Sequence, residues 1–504
     1  MKILVANRGE IAVRILRACR EMGVPSVAVY SDCDRTAVHV RQADEAVAIG
    51  PSPAAESYLN IDRVLAAARD TDSTAVHPGY GFLAENAAFA RACRDAKLNF
   101  IGPDPAVIET MGGKTTARQA AIDAGVPVVP GTEALAGALS DDELRGRAEK
   151  IGFPLFIKAV AGGGGRGMRR VGDRGSVVAG VEAARSEAGA AFGESTVYFE
   201  RLVESARHVE VQVLGDQHGT IVPFVERECS VQRRHQKVIE ESPSVAVTPA
   251  IRIALAEAAM ALASAVNYSS AGTLEFLLDP DGCFYFLEMN TRLQVEHPVT
   301  EWVTGIDLVQ WQIRIARGEL LAIDRDQALN PTGHAVECRV YAEDPDAGFV
   351  PAPGRITSLR GPSGPGVRDD SGVEAGFEVP VFYDSMISKV STWALDRGEA
   401  IVRMERALRE YQIGGITTVI PALLWVLKQD AFLHGNFDTG FLDRALVERA
   451  GRSFSELTDE QVDLAMMTAA VFTYLSATDV KHVSGEGAAA TPWQRAARLG
   501  GLRH

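Results

Sequence analysis

Residues Gly272–Thr300, GTLEFLLDPDGCFYFLEMNTRLQVEHPVT, read as two strands joined by a tight turn. Asp281-Gly282 is a favoured pair for a two-residue hairpin loop. With that loop, Pro280 faces Cys283 and Glu275 faces Glu288. Opposed side chains stand roughly 4.5–5.5 Å apart at Cβ, where two carboxylates repel. Beyond Glu288 the two-residue period runs through Asn290, Arg292, Gln294 and Glu296, so an extended chain places these five on one face. The alternate positions Leu287, Met289 and Leu293 are apolar and suit a core. A hard cation shared by Glu275 and Glu288, with Asn290 as a third oxygen ligand, relieves the repulsion in the way Mg²⁺ prefers. The competing reading is a solvated sheet face.

Working outward, 504 residues are enough for several domains and more than one core. A hydrophobic content of 46% and a charged content of 23% are those of a soluble globular chain. The net charge of −15 argues against nucleic acid as a general partner, while local basic clusters can still bind phosphates. No run of about 18 apolar residues predicts a membrane span, and the N-terminus MKILVANRGE lacks a signal-peptide core. Six dispersed cysteines without a CxxC pair fit reduced thiols in the cytoplasm.

The first stretch alternates strand candidates (Ile3–Ala6, Val27–Tyr30, Ala75–Val76, Phe100–Gly102) with helices at Glu10–Met22 and Ile61–Arg69. This rhythm predicts a doubly wound parallel sheet. Its first turn, Asn7-Arg8-Gly9-Glu10, is no GxGxxG, which counts against NAD. HPGYGFLAEN (His77–Asn86) follows as a Gly-rich turn, structural or functional. Lys158 closes the apolar strand Pro154–Ile157, and four glycines, Gly162–Gly165, come soon after. Such a run is either a flexible connector or a mobile lid whose backbone N–H groups approach phosphates. Glu200-Arg201-Leu202-Val203 follows a strand at Thr196–Phe199 and offers backbone groups to an adenine edge. His208–Leu214 is a strand, and Glu226–Ser242 reads as a loop carrying Arg227, Arg233, Arg234, His235 and Lys237. That basic cluster is a solvated surface or a polyanion site. An Ala-rich helix spans 249–266, and another runs Gly305–Arg317. A third α+β domain begins with the strand His334–Tyr341, which carries Arg339, and continues through Phe382–Val390 and the helix Glu399–Tyr411. In the tail, Thr458-Asp459-Glu460-Gln461 opens a helix to about Leu475, and Ser484–Ala490 is low in complexity.

Six fragments in order, ANRGEIAVRILRAC, HPGYGFLAEN, KAVAGGGGRGM, ERECSVQRRHQK, EMNTRLQVEHPVTE and HAVECRVYAEDP, resemble the biotin carboxylases of the ATP-grasp superfamily over about residues 1–447. The resemblance implies a mixed α/β and α+β architecture of three domains. These are an N-terminal α/β domain (1–112), an ATP-grasp domain (113–325, lid about 130–203) and a C-terminal α+β domain (326–447), with an extension over 448–504. It implies ATP- and bicarbonate-dependent carboxylation of biotin on a separate biotin carboxyl carrier protein, with Mg²⁺ or Mn²⁺, two ions in all. By position, Lys114, Lys158, His208, His235, Lys237, Glu275 and Glu288 resemble nucleotide-contacting residues, Gly164 and Gly165 lid residues, and Glu200, Arg201, Leu202 and Val203 the adenine stretch. Glu275, Glu288 and Asn290 match the metal ligands. Lys237, Arg292 and Val295 match the bicarbonate site, Glu296 the general base, and Arg339 the biotin-facing residue.

The resemblance also implies carboxyltransferase partners and a homodimer, in which Arg17 and Glu21 take part. Pro365 stands where the family has a Phe, which alters that contact. The expected setting is acetyl-CoA carboxylase or a related acyl-CoA carboxylase. The alternatives are the biotin carboxylase subunit of a pyruvate carboxylase, another ATP-grasp ligase forming an acyl-phosphate, or a non-catalytic nucleotide-binding regulator. The tail helix, with Met466, Met467 and Phe472, is either a docking element or packed on its own domain. Met-Lys occurs only at Met1-Lys2 and Lys-Met nowhere, so the chain offers no Met-Lys-Met biotin-attachment signature. Purified from cells with an active biotin ligase, this polypeptide should therefore stay blank to streptavidin; a strong band overturns that expectation.

Overall fold

In the computed structural model, which describes residues 1–135, 139–160, 168–454 and 459–479, the N-terminal rhythm becomes a five-stranded parallel sheet. Its strands are β1 (Ile3–Val5), β2 (Ser26–Ser31), β3 (Glu45–Gly50), β4 (Ala75–His77) and β5 (Asn99–Phe100), in the order β3-β2-β1-β4-β5. The periodicity passes over β3 because an edge strand with only Ile49 fully buried shows no apolar run. The last strand ends earlier than expected, where the backbone N–H of Gly102 turns back to Phe100 O. Ile11, Ile15 and Leu16 of the helix Gly9–Glu21 cover one face. Val64 and Ala68 of Ile61–Asp70 and Phe89 of Ala87–Asp95 cover the other. Asn86, the last residue of HPGYGFLAEN, caps the latter helix by accepting from the Phe89 N–H. The loop itself is pinned to β1, since the Asn7 amide donates to Pro78 O and Tyr80 O at 2.7 Å each. At Gly79, with φ +63°, a Cβ would meet Asn7 Nδ2 at 3.0 Å, so the anchor and the glycine require each other.

A small antiparallel sheet follows, with β6 (Leu155–Ala159) flanked by β7 (Met168–Val171) and β8 (Val197–Arg201). Lys158 lies within β6 rather than closing it, and Glu200 and Arg201 lie within β8 rather than after it. Leu155, Ile157 and Ala159 are buried, so the two-residue period turns Phe156 and Lys158 to the opposite face. The glycine run, Gly164 and Gly165 included, lies outside the described residues.

Apart from three two-stranded ribbons within residues 343–414, the remaining described strands form one nine-stranded antiparallel sheet: β9 (Arg207–Gly215), β10 (Ile221–Pro223), β11 (Arg227–Arg233), β12 (Gln236–Ser242), β13 (Ser270–Leu278), β14 (Phe284–Asn290), β15 (His334–Tyr341), and the strands Val367–Ser371 and Met386–Ala394. The order is β14-β13-β9-β11-β12-β15, then Met386–Ala394 and Val367–Ser371, with β10 beside β9. The α+β region expected after residue 333 joins the central sheet through β15, which pairs β12 on one side and Met386–Ala394 on the other, and that last strand begins at Met386 within the stretch expected from Phe382. The basic loop of 226–242 is in fact the β11–β12 hairpin, turning at Arg234 and His235, whose φ angles are +50° and +65°. The predicted helix Gly305–Arg317 is present as Leu308–Ala316, and a separate helix, His297–Thr304, precedes it. Gly305 (φ +71°) ends His297–Thr304, and Asp307 caps Leu308–Ala316 by accepting from the Gln310 N–H.

The β13–β14 hairpin departs from the expected two-residue loop and still reaches the expected pairing. Its loop spans residues 279–283, where the Asp279 carboxylate accepts from the Asp281 and Cys283 N–H groups, and Leu278 pairs with Phe284. That register alone would set Glu275 against Leu287 and put Glu288 beside Leu274 in the core. A bulge at Leu287 adds one residue between the Phe276–Phe286 and Glu275–Glu288 pairs. Phe286 and Met289 are therefore both buried, while Leu287 and Glu288 both point outward. The alternative buries a carboxylate and forfeits about 2 kcal/mol of burial for each exposed apolar side chain. Glu275 opposes Glu288 as expected, but Leu287 is no core residue. Nor does the strand continue to Glu296; it ends at Asn290.

Residues Met1–Arg452 form one compact unit and Ser453–His504 a second. In the second, the helix runs Asp459–Asp479, past the expected Leu475, and Thr458 lies outside the described residues, as does Ser484–Ala490. Among the described residues, no helix is long and apolar enough to cross a membrane.

Arg227 does not join a surface cluster. Fully buried, it donates to Glu210 (2.5 Å), Gln212 (3.0 Å), Thr300 (2.9 Å) and Thr273 (3.0 Å). Arg227→Met should cost about 3 kcal/mol by leaving these acceptors without a donor, read as a lower urea midpoint; an unchanged midpoint contradicts this account.

Candidate active site

The three sheets meet around a cavity of about 1010 Å³. The Tyr80–Phe82 part of HPGYGFLAEN lines one side, Lys158 and Glu200–Val203 another, and Lys237, Glu275, Glu288, Asn290, Arg292 and Arg339 the floor of the large sheet. Lys114 and His235 also reach it. The positions singled out in the sequence therefore converge, except the undescribed Gly164 and Gly165. Glu296 lies just beneath the lining, fully buried.

Lys237 stands at the centre. Its ammonium donates to Glu210 (2.5 Å), Glu275 (2.9 Å) and Glu296 (2.7 Å), each from a different segment of chain. Burial pulls its pKa down, but these carboxylates outweigh burial and hold it well above the usual lysine range. Glu275 also accepts from Asn290 Nδ2 (2.8 Å) and Gln294 Nε2 (3.1 Å), and His208 Nε2 lies 3.0 Å away. Burial alone would raise the Glu275 pKa; Lys237 and His208 instead hold it well below normal. Glu288, across the hairpin, is pushed up, first by desolvation in the cleft and then by the Glu275 charge. One ionised and one reluctant carboxylate on facing strands is a geometry that a divalent cation stabilises. Among the described residues, two further acidic groups stand close enough for a metal, His208/Glu210/Glu275 and Glu210/Cys229/Glu296. Lys237 already bonds the carboxylates in both, so they are neutralised from within.

Glu296 receives Lys237 on one oxygen and Arg339 Nη2 (3.0 Å) on the other. Burial would raise its pKa; Lys237 and Arg339 hold it well below the carboxylate range. Arg339 is held at its other edge by Glu240, which accepts from Nε at 2.6 Å. Arg292 donates to Asn290 Oδ1 (2.9 Å), Gln294 Oε1 (2.9 Å) and Glu85 Oε2 (2.8 Å). Residues 291–296 leave extended geometry, yet Arg292, Gln294 and Glu296 still reach the site because the Thr291 N–H bonds Glu85 and the Val295 carbonyl accepts from buried Lys389 at 2.6 Å. Lys158 bonds Glu200, and Lys114 is lowered by partial desolvation and then by Lys158. Two lysines facing one cavity make an anion site.

Sequence reasoning missed Glu85, Glu210, Gln232 and Lys389. Gln232 Nε2 sits 3.1 Å from His208 Nδ1 and fixes that ring. Glu85 stands near the end of a Gly-rich turn, and its signal was the carboxylate itself. Glu210 alternates with His208 on β9, a pattern that a site-directed reading of that strand would have caught. Lys389 gives no signal, since one lysine in an apolar strand identifies no target.

Comparison with known proteins identifies the family. Residues 1–108 match the family model for the biotin carboxylase N-terminal domain, 113–324 the carbamoyl-phosphate synthase L chain ATP-binding domain, and 337–444 the biotin carboxylase C-terminal domain. A biotin carboxylase from Nostoc sp. is 53% identical over 441 residues, covering 88% of this chain and 98% of that protein. A pyruvate carboxylase subunit from Methanothermobacter thermautotrophicus is 48% identical over 487 residues, covering 94% and 98%. The biotin carboxylase domain dimer of Hydrogenobacter thermophilus 2-oxoglutarate carboxylase, solved with MgADP, ADP and bicarbonate, superposes with a TM-score of 0.83 at 43% identity, covering 90% and 99%. By sequence, by fold and by the residues that meet in its cavity, the chain belongs to the biotin carboxylase family of ATP-dependent ligases.

Proposed function

We propose that this chain carboxylates biotin borne by a separate carrier protein, using ATP and bicarbonate through carboxyphosphate, as the first half-reaction of an acetyl-CoA carboxylase or a related acyl-CoA carboxylase. The observation that carries the reading is the Glu296 carboxylate fixed between Lys237 and Arg339, with Arg292 on the same floor. Lys114 and Lys158 hold phosphate oxygens in this reading, and His208 and His235 border the nucleotide. The N–H groups of Arg201 and Leu202 already bond Pro130 O and Pro154 O, so adenine recognition falls to the other backbone groups of Glu200–Val203. Glu275, Glu288 and Asn290 would hold Mg²⁺ or Mn²⁺, two ions in all. The metal would offset charge on the phosphate oxygens.

Bicarbonate sits against Lys237, Arg292 and the Val295 backbone. Glu296, ionised because its pKa is held down, accepts the bicarbonate proton as the oxygen attacks the γ-phosphorus. As Lys237 turns to the new anion, Glu296 loses part of its pairing and gains basicity. ADP leaves as carboxyphosphate forms; carboxyphosphate breaks its C–O bond to give CO₂ and phosphate, the phosphate takes the biotin ureido N–H proton, the ureido nitrogen bonds the CO₂ carbon, and Arg339 offsets charge on the ureido oxygen.

The division into 1–112, 113–325 and 326–447 belongs to this proposal, as do carrier and carboxyltransferase partners. A cytoplasmic site is supported by six cysteines that are all free. A homodimer is supported by the dimeric Hydrogenobacter relative, although Arg17 here lies 3.7 Å from Asp370 and Glu21 accepts from Gln310 within the chain. One observation favours a second setting, within a pyruvate carboxylase: the Methanothermobacter relative aligns over 487 residues and the Nostoc biotin carboxylase over 441.

ATP hydrolysis should depend on bicarbonate and rise with free biotin; bicarbonate-independent turnover would favour another ligase. Glu296→Gln should depress kcat at least tenfold while changing the ATP KM little, because the proton moves only as bicarbonate attacks. Near-normal biotin carboxylation by that variant would show that Glu296 is not the base. Glu288→Gln should raise the Mg²⁺ concentration needed for half-maximal turnover several-fold with the fold intact, and an unchanged Mg²⁺ requirement removes Glu288 from the metal site.

A further inference from the structure

Behind Arg339, away from the cavity, the β12–β15 ladder sets Glu240 directly across from Glu337. Both are fully buried. Glu240 Oε1 accepts from Arg339 Nε at 2.6 Å, while its Oε2 has no donor, and neither oxygen of Glu337 has one. The cation nearest in the ladder is spoken for: Lys389, on the strand beyond β15, donates to Val295 O at 2.6 Å and lies 3.4 Å from Glu10. Two buried carboxylates in cross-strand register, with three oxygens lacking donors, cannot both be ionised at ordinary cost. A single proton relieves the repulsion and satisfies two of the three oxygens. Held on Glu337 and donated to Glu240 Oε2, it leaves Glu240 anionic toward Arg339 and removes the repulsion.

Building on the carboxylase reading, we propose that Glu240 and Glu337 form a proton-sharing pair that positions Arg339 for the biotin half of the reaction, with Glu337 as the protonated member. The consequence for the site is geometric. Arg339 is gripped at Nε by Glu240 and at Nη2 by Glu296, which fixes the guanidinium plane against the cavity. A doubly ionised pair would draw Arg339 back from Glu296 and the substrate oxygen. The charged groups bearing on the pair are Arg339, Glu296 and Lys237 on the cavity side, and Lys389 with Glu10 behind it. Desolvation raises Glu240 to about 7 against the pull of Arg339, and raises Glu337 well above the usual range against Lys389, as a shared proton requires. Neither residue touches the nucleotide or the hairpin carboxylates, so the pair is expected to affect biotin carboxylation more than nucleotide binding.

The experiment compares Glu337→Gln, whose amide still donates to Glu240, with Glu337→Leu, which cannot. In the full-length chain, with free biotin as acceptor, Glu337→Leu should lower the kcat of biotin carboxylation about tenfold and leave the ATP KM within about twofold. Glu337→Gln should rescue most of that loss. The parent kcat should fall on the alkaline side as the shared proton leaves, and Glu337→Gln should lack this limb. Infrared difference spectra should show a protonated-carboxyl carbonyl stretch in the parent that is missing in Glu337→Gln, a readout independent of activity. Absence of that band in the parent overturns the proposal, as does a Gln variant as impaired as the Leu variant with an unchanged alkaline limb. A parent that shows the band but no bicarbonate-dependent turnover refutes the carboxylase reading and leaves the proton-sharing pair standing.

Discussion

A single ammonium group organises the active cavity. Lys237 bonds Glu210 from β9, Glu275 from β13 and Glu296 from the segment after β14, so three separately encoded stretches are tied at one point. Three carboxylates around one lysine leave an excess of two negative charges (3 − 1), and Arg227 on Glu210 and Arg339 on Glu296 supply two positive ones. Burying such charges carries a desolvation penalty of several kcal/mol per ion, so the arrangement persists only when every partner is present. This makes the floor of the cavity an all-or-none assembly rather than a collection of independent contacts.

The same logic explains why the irregular segment 291–296 is held so firmly. It has left the sheet and cannot rely on ladder hydrogen bonds. Glu85 takes the Thr291 N–H and Arg292, and Lys389 takes the Val295 carbonyl. The first anchor comes from the turn after β4 of the N-terminal sheet and the second from Met386–Ala394, the last strand but one of the large sheet. Residues 291–296 are thus held by elements from distant parts of the Met1–Arg452 unit, which accounts for a cavity at the meeting of the sheets rather than within one of them.

Charges left unpaired locally carry functional meaning here. Glu288 is raised first by desolvation and then by the Glu275 charge opposite it, and it lines an open cavity where a cation can reach it. Glu337 is fully buried and not part of the cavity lining, and a proton is the relief we propose for it. In the readings proposed here, two carboxylate pairs in one sheet resolve the same repulsion by different means, according to whether solvent can reach them.

Much of this was legible in the sequence. Amphipathic periods located the first parallel strands and their helices, and six ordered fragments carried the family. The Glu275–Glu288 opposition was also correctly read, although the loop length behind it was wrong and a bulge at Leu287 made up the difference. That compensation was invisible because a bulge is selected by which side chains must be buried, here Phe286 and Met289, and this depends on what packs against the strand. The edge strand Glu45–Gly50 was missed because edges need no apolar run, and Arg227 was misplaced because a basic residue looks solvated until its partners Glu210, Gln212, Thr273 and Thr300 are known. Local chemistry and period therefore determined which residues are available for the reaction. Only the tertiary structure decided which of them pair, because ion pairing, burial and protonation depend on neighbours that lie up to hundreds of residues away along the chain, as Arg14 and Glu301 do.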